Sequence, residues 1–192
     1  MGRPSRLLTK MIPVGVAVAV AIFAGWWIAR QLAEAPQAQV SVSEQGPSAG
    51  PPAKRAVHLY FGDSQGRHLV AEQRVVEQPA DDIALARLLI ELLIRGPNKE
   101  GQRTLPADAH LRALYVTGTG TAYIDFEDDA FAGHPGGVGG ELLSIYSMVN
   151  TLVLNVEKIR SVKFLIGGHE AATLVGHADL QEPFAVDMMW VR

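Results

Sequence analysis

The stretch from Leu111 to Gly168 constrains the fold more than any other part of the chain. It combines alternating apolar runs, a glycine turn, a glycine-rich loop and a long segment with apolar residues at helical spacing. These patterns predict, in order, a strand at Leu111–Thr117, a turn at Gly118–Gly120, a strand at Thr121–Phe126, a loop at His134–Gly140, a helix at Glu141–Val156 and a strand at Val162–Ile166. Such an order is typical of an α+β fold with a helix laid across a sheet.

Composition limits the class of protein. The chain has 192 residues and no Cys, which excludes disulfides, a thiolate metal site and a Cys nucleophile. Residues 1–55 hold six of the 17 basic and two of the 20 acidic side chains, so residues 56–192 carry a net charge of −7. An acidic domain repels phosphate backbones, and we therefore expect no nucleic-acid partner.

The segment Met11–Ala29 contains no charged side chain. Nineteen helical residues extend about 28 Å, close to the hydrocarbon thickness of a bilayer. Three basic residues precede it and one follows, which predicts an N-terminus inside the cell and the remainder outside. We therefore predict an uncleaved single-pass anchor in the bacterial cytoplasmic (inner) membrane. A cleaved signal peptide is the alternative, although Pro36 would follow the cut after Ala35. A buried helix is the third interpretation.

These boundaries divide the chain into four parts. Residues 1–10 are predicted to be cytoplasmic, 11–29 to cross the membrane, 30–55 to form a disordered linker and 56–192 to form an extracytoplasmic domain. The linker is rich in Ala, Gln, Ser, Pro and Gly and has little to bury.

The domain is predicted to begin with a β-hairpin, Val57–Phe61 and Leu69–Val76, followed by a helix at Ile83–Arg95. Asp81 or Asp82 can cap this helix, and Gly96-Pro97 ends it. Two short strands, Ala171–Leu174 and Phe184–Val191, are predicted to complete the sheet. We expect two helices on one face of a mostly antiparallel sheet.

The helix Ile83–Arg95 is apolar around most of its circumference, with one polar stripe of Arg87, Glu91 and Arg95. A surface helix needs only one apolar face. Either the domain wraps this helix on two sides, or part of it meets a partner. We take the second possibility as the candidate interface, formed by Leu85, Leu88 and Leu92, with the edge of Phe184–Val191 as the next candidate.

The second helix, Glu141–Val156, also carries a polar stripe. Its members recur at spacings of three and four, and they are Glu141, Ser144, Ser147, Thr151 and Asn155. We expect this stripe to face solvent. The apolar residues between them, such as Leu142, Ile145 and Leu152, are expected to face the sheet.

Seven short motifs occur in an order that resembles the GerMN domain, a sporulation and spore-germination family. They are L-Y-F (Leu59–Phe61), R-G-P (Arg95–Pro97), T-L-P (Thr104–Pro106), Y-I-D-F (Tyr123–Phe126), G-G-E-L-L (Gly139–Leu143), V-K-F-L-I-G-G (Val162–Gly168) and G-H-A-D-L-Q-E-P-F (Gly176–Phe184). The resemblance implies a helix–strand–strand–helix–strand core akin to ring-building motifs. It also implies assembly with other envelope proteins and not catalysis.

Candidate sites have ordinary interpretations. His169-Glu170 begins like a zinc motif but lacks the second His, and the six His show no ligand spacing. The glycines Gly136, Gly137, Gly139 and Gly140 open a helix and form a candidate ligand loop, although no nucleotide-binding fingerprint is met. The acidic cluster Asp125 and Glu127–Asp129 lacks calcium-loop spacing. Ser144 and Ser147 lack a nucleophile elbow.

The sequence therefore predicts a non-catalytic, membrane-anchored envelope protein. We expect no catalytic residues, no metal and no cofactor. Its domain would mediate assembly with other envelope proteins or with itself. A binding module for a cell-wall saccharide or small ligand is the alternative function, and an envelope hydrolase is the third.

Overall fold

The structure is a computed structural model that describes Trp26, Trp27, Arg30 and residues 53–192. The chain separates into two compact units, Met1–Ser48 and Ala49–Arg192. In the second unit the elements are β1 (Lys54–Gly62), β2 (Leu69–Glu77), α1 (Asp82–Arg95), β3 (Leu111–Val116), β4 (Thr121–Phe126), α2 (Val138–Asn155), β5 (Ser161–Ile166), β6 (His169–Glu170), β7 (Phe184–Ala185) and a 3-10 helix (Met188–Trp190).

The first unit contributes three described residues, Trp26, Trp27 and Arg30, and all three are helical. The predicted span Met11–Ala29 otherwise lies outside the described residues. Among the residues that are described, no helix has the length and apolarity needed to cross a membrane.

The second unit confirms the α+β class, but its strands form two sheets. β1 and β2 form a separate antiparallel hairpin. The other sheet has five strands and is mixed: β4 pairs antiparallel with β3 and parallel with β5. Because α2 connects β4 to β5, it provides the crossover that a parallel pair requires. β6 and β7 share the remaining edge of β5.

Local sequence signals explain where α1 begins and ends. Asp81 accepts a hydrogen bond from the N–H of Ala84 at 2.8 Å, and Asp82 lies in the first turn near the positive end of the helix dipole. Gly96 ends the helix at a φ of 87°, and its N–H donates to the carbonyl of Leu93. That backbone conformation favours Gly over every other residue.

The main core lies between the two helices and the strands β1, β3, β4 and β5. Its largest fully buried side chains include Phe61, Phe126 and Phe164, which come from three different strands. α1 adds one buried face that covers a little less than half of its circumference, namely Leu85, Ala86, Leu89, Ile90, Leu92 and Leu93. Leu88 and Ile94 pack half-buried beside this face, and α1 contacts β1, β3 and α2. The domain itself therefore covers much of the apolar surface of α1, in line with the first of the two interpretations of its sequence.

The polar stripe of α2 is buried, and the expectation that it faces solvent is wrong. Ser147, Thr151 and Asn155 lie along the free edge of β1 and bond to its backbone. The hydroxyl of Ser147 donates to the carbonyl of Tyr60 at 2.6 Å, and the N–H of Tyr60 donates to Oγ1 of Thr151 at 3.2 Å. Asn155 bonds in the same way to the N–H and the carbonyl of His58.

The geometry of a helix and a strand explains this arrangement. Four helical residues rise about 6 Å, and two strand residues rise about 6.7 Å, so Thr151 and Asn155 reach the alternate residues Tyr60 and His58. An edge strand has unpaired N–H and C=O groups that are costly to bury without partners. α2 supplies those partners from side chains, which explains why β1 needs no second neighbouring strand.

The chain after β5 differs from the predicted strands. The predicted strand Ala171–Leu174 is replaced by the two-residue strand β6, and Phe184–Val191 is a strand only over Phe184–Ala185. Asp187 explains the second change. Its backbone N–H and carbonyl bond to the side chain of Asn150 in α2, and its carboxylate accepts from the N–H of Met189. These contacts turn the chain into a 3-10 helix.

Candidate functional site

A cleft of about 400 Å³ opens at the start of α2. It is bounded by the β1–β2 turn, by the segment 102–107 and by the end of the glycine-rich loop. Its lining includes Thr104 and Leu105 from one side, and His134, Gly140 and Ser144 from the other. Two motifs that are far apart in sequence, T-L-P and G-G-E-L-L, therefore meet at one site.

His134 and Ser144 form the polar pair of this cleft. Nε2 of His134 lies 2.8 Å from Oγ of Ser144, a distance compatible with a base and a nucleophile. However, Nδ1 of His134 accepts a hydrogen bond from the N–H of Gly136 at 3.0 Å. A neutral imidazole carries one proton, so Nε2 holds it and donates to Ser144.

This protonation state does not suit catalysis. A general base must accept the proton of the hydroxyl, whereas His134 already donates to it. The Ser144 hydroxyl bonds instead to the carbonyls of Thr104 and Gly140, and the residue is buried. Burial lowers the pKa of His134, although the nearby Glu141 carboxylate opposes this, so the imidazole is neutral at pH 7. The pair therefore acts as a structural connection between segment 102–107 and α2.

Glu141 is the fully buried acidic residue next to this pair. Its two oxygens accept hydrogen bonds from the backbone N–H groups of Leu174, Val175, His177 and Ala178, at 2.8 to 3.1 Å. Burial acts to raise the pKa of Glu141, but the four N–H donors together outweigh it, and the pKa lies below its ordinary value. Glu141 thus fixes the loop after β6 onto the start of α2.

The role of Glu141 was missed by the sequence interpretation, which placed the residue on a solvent-exposed stripe. The usable signal was its position in the first helical turn directly after a glycine-rich loop, where a carboxylate meets the positive end of the helix dipole. The donors could not be predicted, because they lie more than thirty residues further along the chain.

The four predicted ligand-loop glycines are not brought together around one cavity. Gly140 lines the cleft, while Gly136, Gly137 and Gly139 face open space in which an added Cβ would meet no atom within 4 Å. Gly137 precedes α2 at a φ of 82°, and no side chain caps the helix there. Whether this loop binds a ligand stays a prediction.

The acidic and histidine candidates are engaged in ordinary structural contacts. Asp125 pairs with Arg112 at 3.0 Å and accepts from the N–H of Gly168 at 2.8 Å. Nδ1 of His169 lies 2.9 Å from the carbonyl of Gly167. Within the described part of the chain, no three His, Asp or Glu side chains are grouped so that they could hold a metal ion.

The three leucines of the candidate interface mainly belong to the core. Leu85 and Leu92 are buried in the domain, and Leu88 is half-buried against the same core. In the folded domain, the first two are therefore inaccessible to a partner. The apolar residue that α1 does expose is Ile83, at 42%.

A different apolar surface is presented by the segment after β7. It consists of Val186, Met188 and Met189, here called the methionine surface, and Met189 is 89% exposed. Its backbone is held by hydrogen bonds: Asn150, which is fully buried, makes two hydrogen bonds to the backbone of Asp187, at 2.9 and 3.0 Å. Trp190 stacks on Tyr146 of α2 with ring centroids 5.5 Å apart.

Comparison with protein families gives a match over most of the second unit. The family model Germane, described as "Sporulation and spore germination", matches residues 58–172, more than half of the chain. No curated protein matches the chain.

Solved structures agree on the fold. A Clostridium perfringens protein described as a candidate lipoprotein is 22% identical, with a TM-score of 0.50 over 71% of this chain and 91% of that one. The tandem GerMN domains of the sporulation protein GerM from Bacillus subtilis are 22% identical, with a TM-score of 0.58 over 69% of this chain and 46% of that one. The first GerMN domain of the same protein is 23% identical, with a TM-score of 0.54 over 68% and 97%. The predicted localisation as a single-pass inner-membrane protein is contradicted by this comparison, since the Clostridium perfringens relative is described as a candidate lipoprotein.

Proposed function

Because this chain belongs to the Germane family of sporulation and spore germination domains, we propose that it is a non-catalytic assembly module of the cell envelope. The methionine surface is its contact surface, and a second domain of the same kind is its occupant. The observation that carries the proposal is the 89% exposure of Met189 on a backbone held by hydrogen bonds. The description of the Clostridium perfringens relative as a candidate lipoprotein supports the placement in the envelope.

The non-catalytic part of the proposal is supported by the cleft. Its polar pair, His134 and Ser144, is the arrangement closest to a nucleophile and a base at this site. The N–H of Gly136 fixes the imidazole in the tautomer that donates to the hydroxyl. This feature argues against an acyl-transfer or hydrolase mechanism at the cleft, which was the third function considered from the sequence.

The assembly part is supported by the way in which the methionine surface is held. Large apolar side chains in water cost free energy, and an exposed apolar patch is typical of an interaction site. A backbone that is already held in place loses little further conformational entropy on binding, so the entropy cost is confined to the side chains themselves. Met is also an adaptable contact residue, because its unbranched thioether fits irregular partners.

A second GerMN-like domain fits as the occupant for two reasons. The Bacillus subtilis relative carries two such domains in one chain, where tethering raises the local concentration of one domain at the other. In addition, a small apolar patch can match itself across a two-fold axis, the commonest symmetry of soluble oligomers. Other envelope proteins are the alternative partner class.

The absence of Cys allows a direct test with single engineered cysteines in the full chain. If two methionine surfaces meet near a two-fold axis, Met189→Cys forms a covalent dimer on mild oxidation, because a disulfide needs Cα atoms within about 7 Å. Val75→Cys is the matched control, since Val75 is apolar and 67% exposed but lies on β2. Val186→Cys, on the same surface, should also form a crosslinked dimer, and adding Met189→Lys to that chain should abolish this crosslink.

The outcome that contradicts self-association is equal crosslinking of Met189→Cys and Val75→Cys, or none by either. If crosslinking to the methionine surface occurs only with another purified envelope protein, the assembly role stands and the assigned occupant is wrong. Chains with Met189→Lys should keep the melting temperature of the wild type, since Met189 is almost fully exposed.

A further inference from the structure

Tyr115 and Tyr123 form an aromatic pair on the face of the five-stranded sheet that points away from the core. The alternation of β4 places Ala122, Ile124 and Phe126 in the core, so Tyr123 projects from the opposite face. Tyr115 is its cross-strand partner in β3. The rings are stacked, with centroids 5.5 Å apart and an interplanar angle of 13°, and Tyr115 is 46% exposed.

Hydrogen-bonding groups flank this pair on both sides along the strands. Two residues before Tyr123, Thr121 is in register with Ser161 of β5, and their hydroxyls lie 3.1 Å apart. Two residues after Tyr123, Asp125 is paired with Arg112, whose side chain is about half exposed. The outer face therefore presents an aromatic strip between a row of hydroxyls and a row with a guanidinium group.

A segment of the chain forms a wall beside the aromatic strip. Lys163 of β5 is in register with Tyr123, and its Nζ donates to the carbonyls of Leu180 and Gln181. The segment that contains Leu180 thus covers the part of the outer face next to Tyr123. The part around Tyr115, on the edge strand β3, is left open. The resulting surface is a shelf, which we call the tyrosine shelf: Tyr115, Tyr123, Thr121, Ser161 and Arg112.

The charges of the tyrosine shelf are already compensated. Arg112 is paired with Asp125 at 3.0 Å, and Lys163 lies 3.7 Å from a carboxylate oxygen of Glu170. A charged ligand would have to compete with these internal partners. A neutral ligand that has both apolar faces and many hydroxyl groups would instead match an aromatic strip with polar rows on either side.

We propose that the tyrosine shelf binds a neutral oligosaccharide. A pyranose ring has one face of C–H groups, which packs on an exposed Tyr ring, and a rim of hydroxyls, which reaches the rows of Thr121 and Arg112. This function is distinct from assembly through the methionine surface, because Tyr115 lies on the edge strand β3, whereas the methionine surface follows β7, which pairs with β5 on the far side of β4.

Fold stability alone explains the shelf poorly. A cross-strand aromatic pair does stabilise a sheet, but the gain is modest and is largest where the rings are covered. Here the ring of Tyr115, on the edge strand β3, remains about half exposed to solvent.

The test is to titrate the full chain with three neutral probes, namely chitotetraose, cellotetraose and maltotetraose. Binding is measured by calorimetry or by NMR of the backbone amides. We expect at least one probe to bind, with amide shifts in β3 and β4. Tyr115→Thr, which keeps a strand-forming residue but removes the ring, should weaken that binding by about tenfold or more. Tyr115→Trp should retain it.

Val75→Thr is the matched control, because it makes the same kind of change at an exposed strand position of the other sheet. Melting curves of each variant check that the fold is kept. The proposal is overturned if no probe binds at millimolar concentration, or if Tyr115→Thr binds as the wild type does. Met189→Lys should bind the saccharide normally, which separates this test from the test of assembly.

Discussion

Asn155 of α2 holds both backbone groups of His58 in β1 with its one side-chain amide. Oδ1 of Asn155 accepts from the N–H of His58 at 2.9 Å, and Nδ2 donates to the carbonyl of the same residue at 2.7 Å. The amide thus makes the pair of hydrogen bonds that a neighbouring strand would make. Through this contact a helix takes the place of a strand at the edge of the hairpin.

Replacing this amide should destabilise the domain although no apolar contact is lost. In Asn155→Asp the carboxylate cannot donate to the carbonyl of His58, so a partly buried acceptor loses its partner. We expect a loss of about 1–3 kcal/mol in the free energy of unfolding at pH 7, measured by urea denaturation. Gln78→Glu, the same amide-to-carboxylate change at an exposed position, is the control and should change stability by less than about 0.5 kcal/mol. An equal loss of unfolding free energy in the two variants would show that the hydrogen bonds between Asn155 and His58 do not stabilise the domain.

The four hydrogen bonds of Glu141 predict a pH-dependent stability. Because its pKa is lowered in the folded domain, the ionised carboxylate contributes in full above the unfolded-state value of about 4.3. That contribution is lost as the pH falls below this value and through the folded-state pKa. Glu141→Gln should therefore be less stable than the wild type at pH 7, and the difference should shrink on acidification.

Urea denaturation of both proteins between pH 7 and pH 3 measures this difference, and Glu100→Gln, at an exposed site, serves as the control. Hydrogen exchange should also be faster at the amides of Leu174 and Ala178 in Glu141→Gln. A stability difference that does not depend on pH would show that the carboxylate charge is not the cause.

The tautomer of His134 can be observed directly. Long-range proton–nitrogen NMR spectra should show the proton on Nε2 at pH 7, since Nδ1 accepts from Gly136. Burial lowers the pKa of His134, so its titration midpoint should lie below the ordinary value of 6.5. A proton on Nδ1 instead would allow His134 to accept the proton of Ser144, and the hydrolase interpretation would regain support.

Leu85 and Ile83 lie two residues apart in α1, but Leu85 is buried in the core and Ile83 is exposed in the first turn. Leu85→Lys buries an unpaired charge and should destabilise the domain by more than about 3 kcal/mol. Ile83→Lys changes a side chain that is 42% exposed, and its effect should be within about 0.5 kcal/mol. Thermal melting of both variants tests this difference. If Ile83→Lys keeps the fold but weakens association, α1 contributes to the interface by its first turn.

The sequence predicted most elements because their signals are local. The strand Thr121–Phe126 has the predicted bounds, and α1 begins one residue before the prediction, where Asp81 caps it. Alternation, helical spacing, an N-cap and a terminal Gly all act within a few residues. For the same reason the α+β class could be predicted from the order of the elements, and the motifs that resemble GerMN domains led to the correct family.

Only the tertiary structure decided what the polar and apolar faces contact. Ser147, Thr151 and Asn155 recur at helical spacing whether they meet water or β1, and the useful clue was that none of them is charged. The donors to Glu141 and the partners of Asn150 come from segments more than thirty residues away. Spacing along the chain sets which side chains share a face, but the partner of that face depends on long-range packing, which no local pattern records.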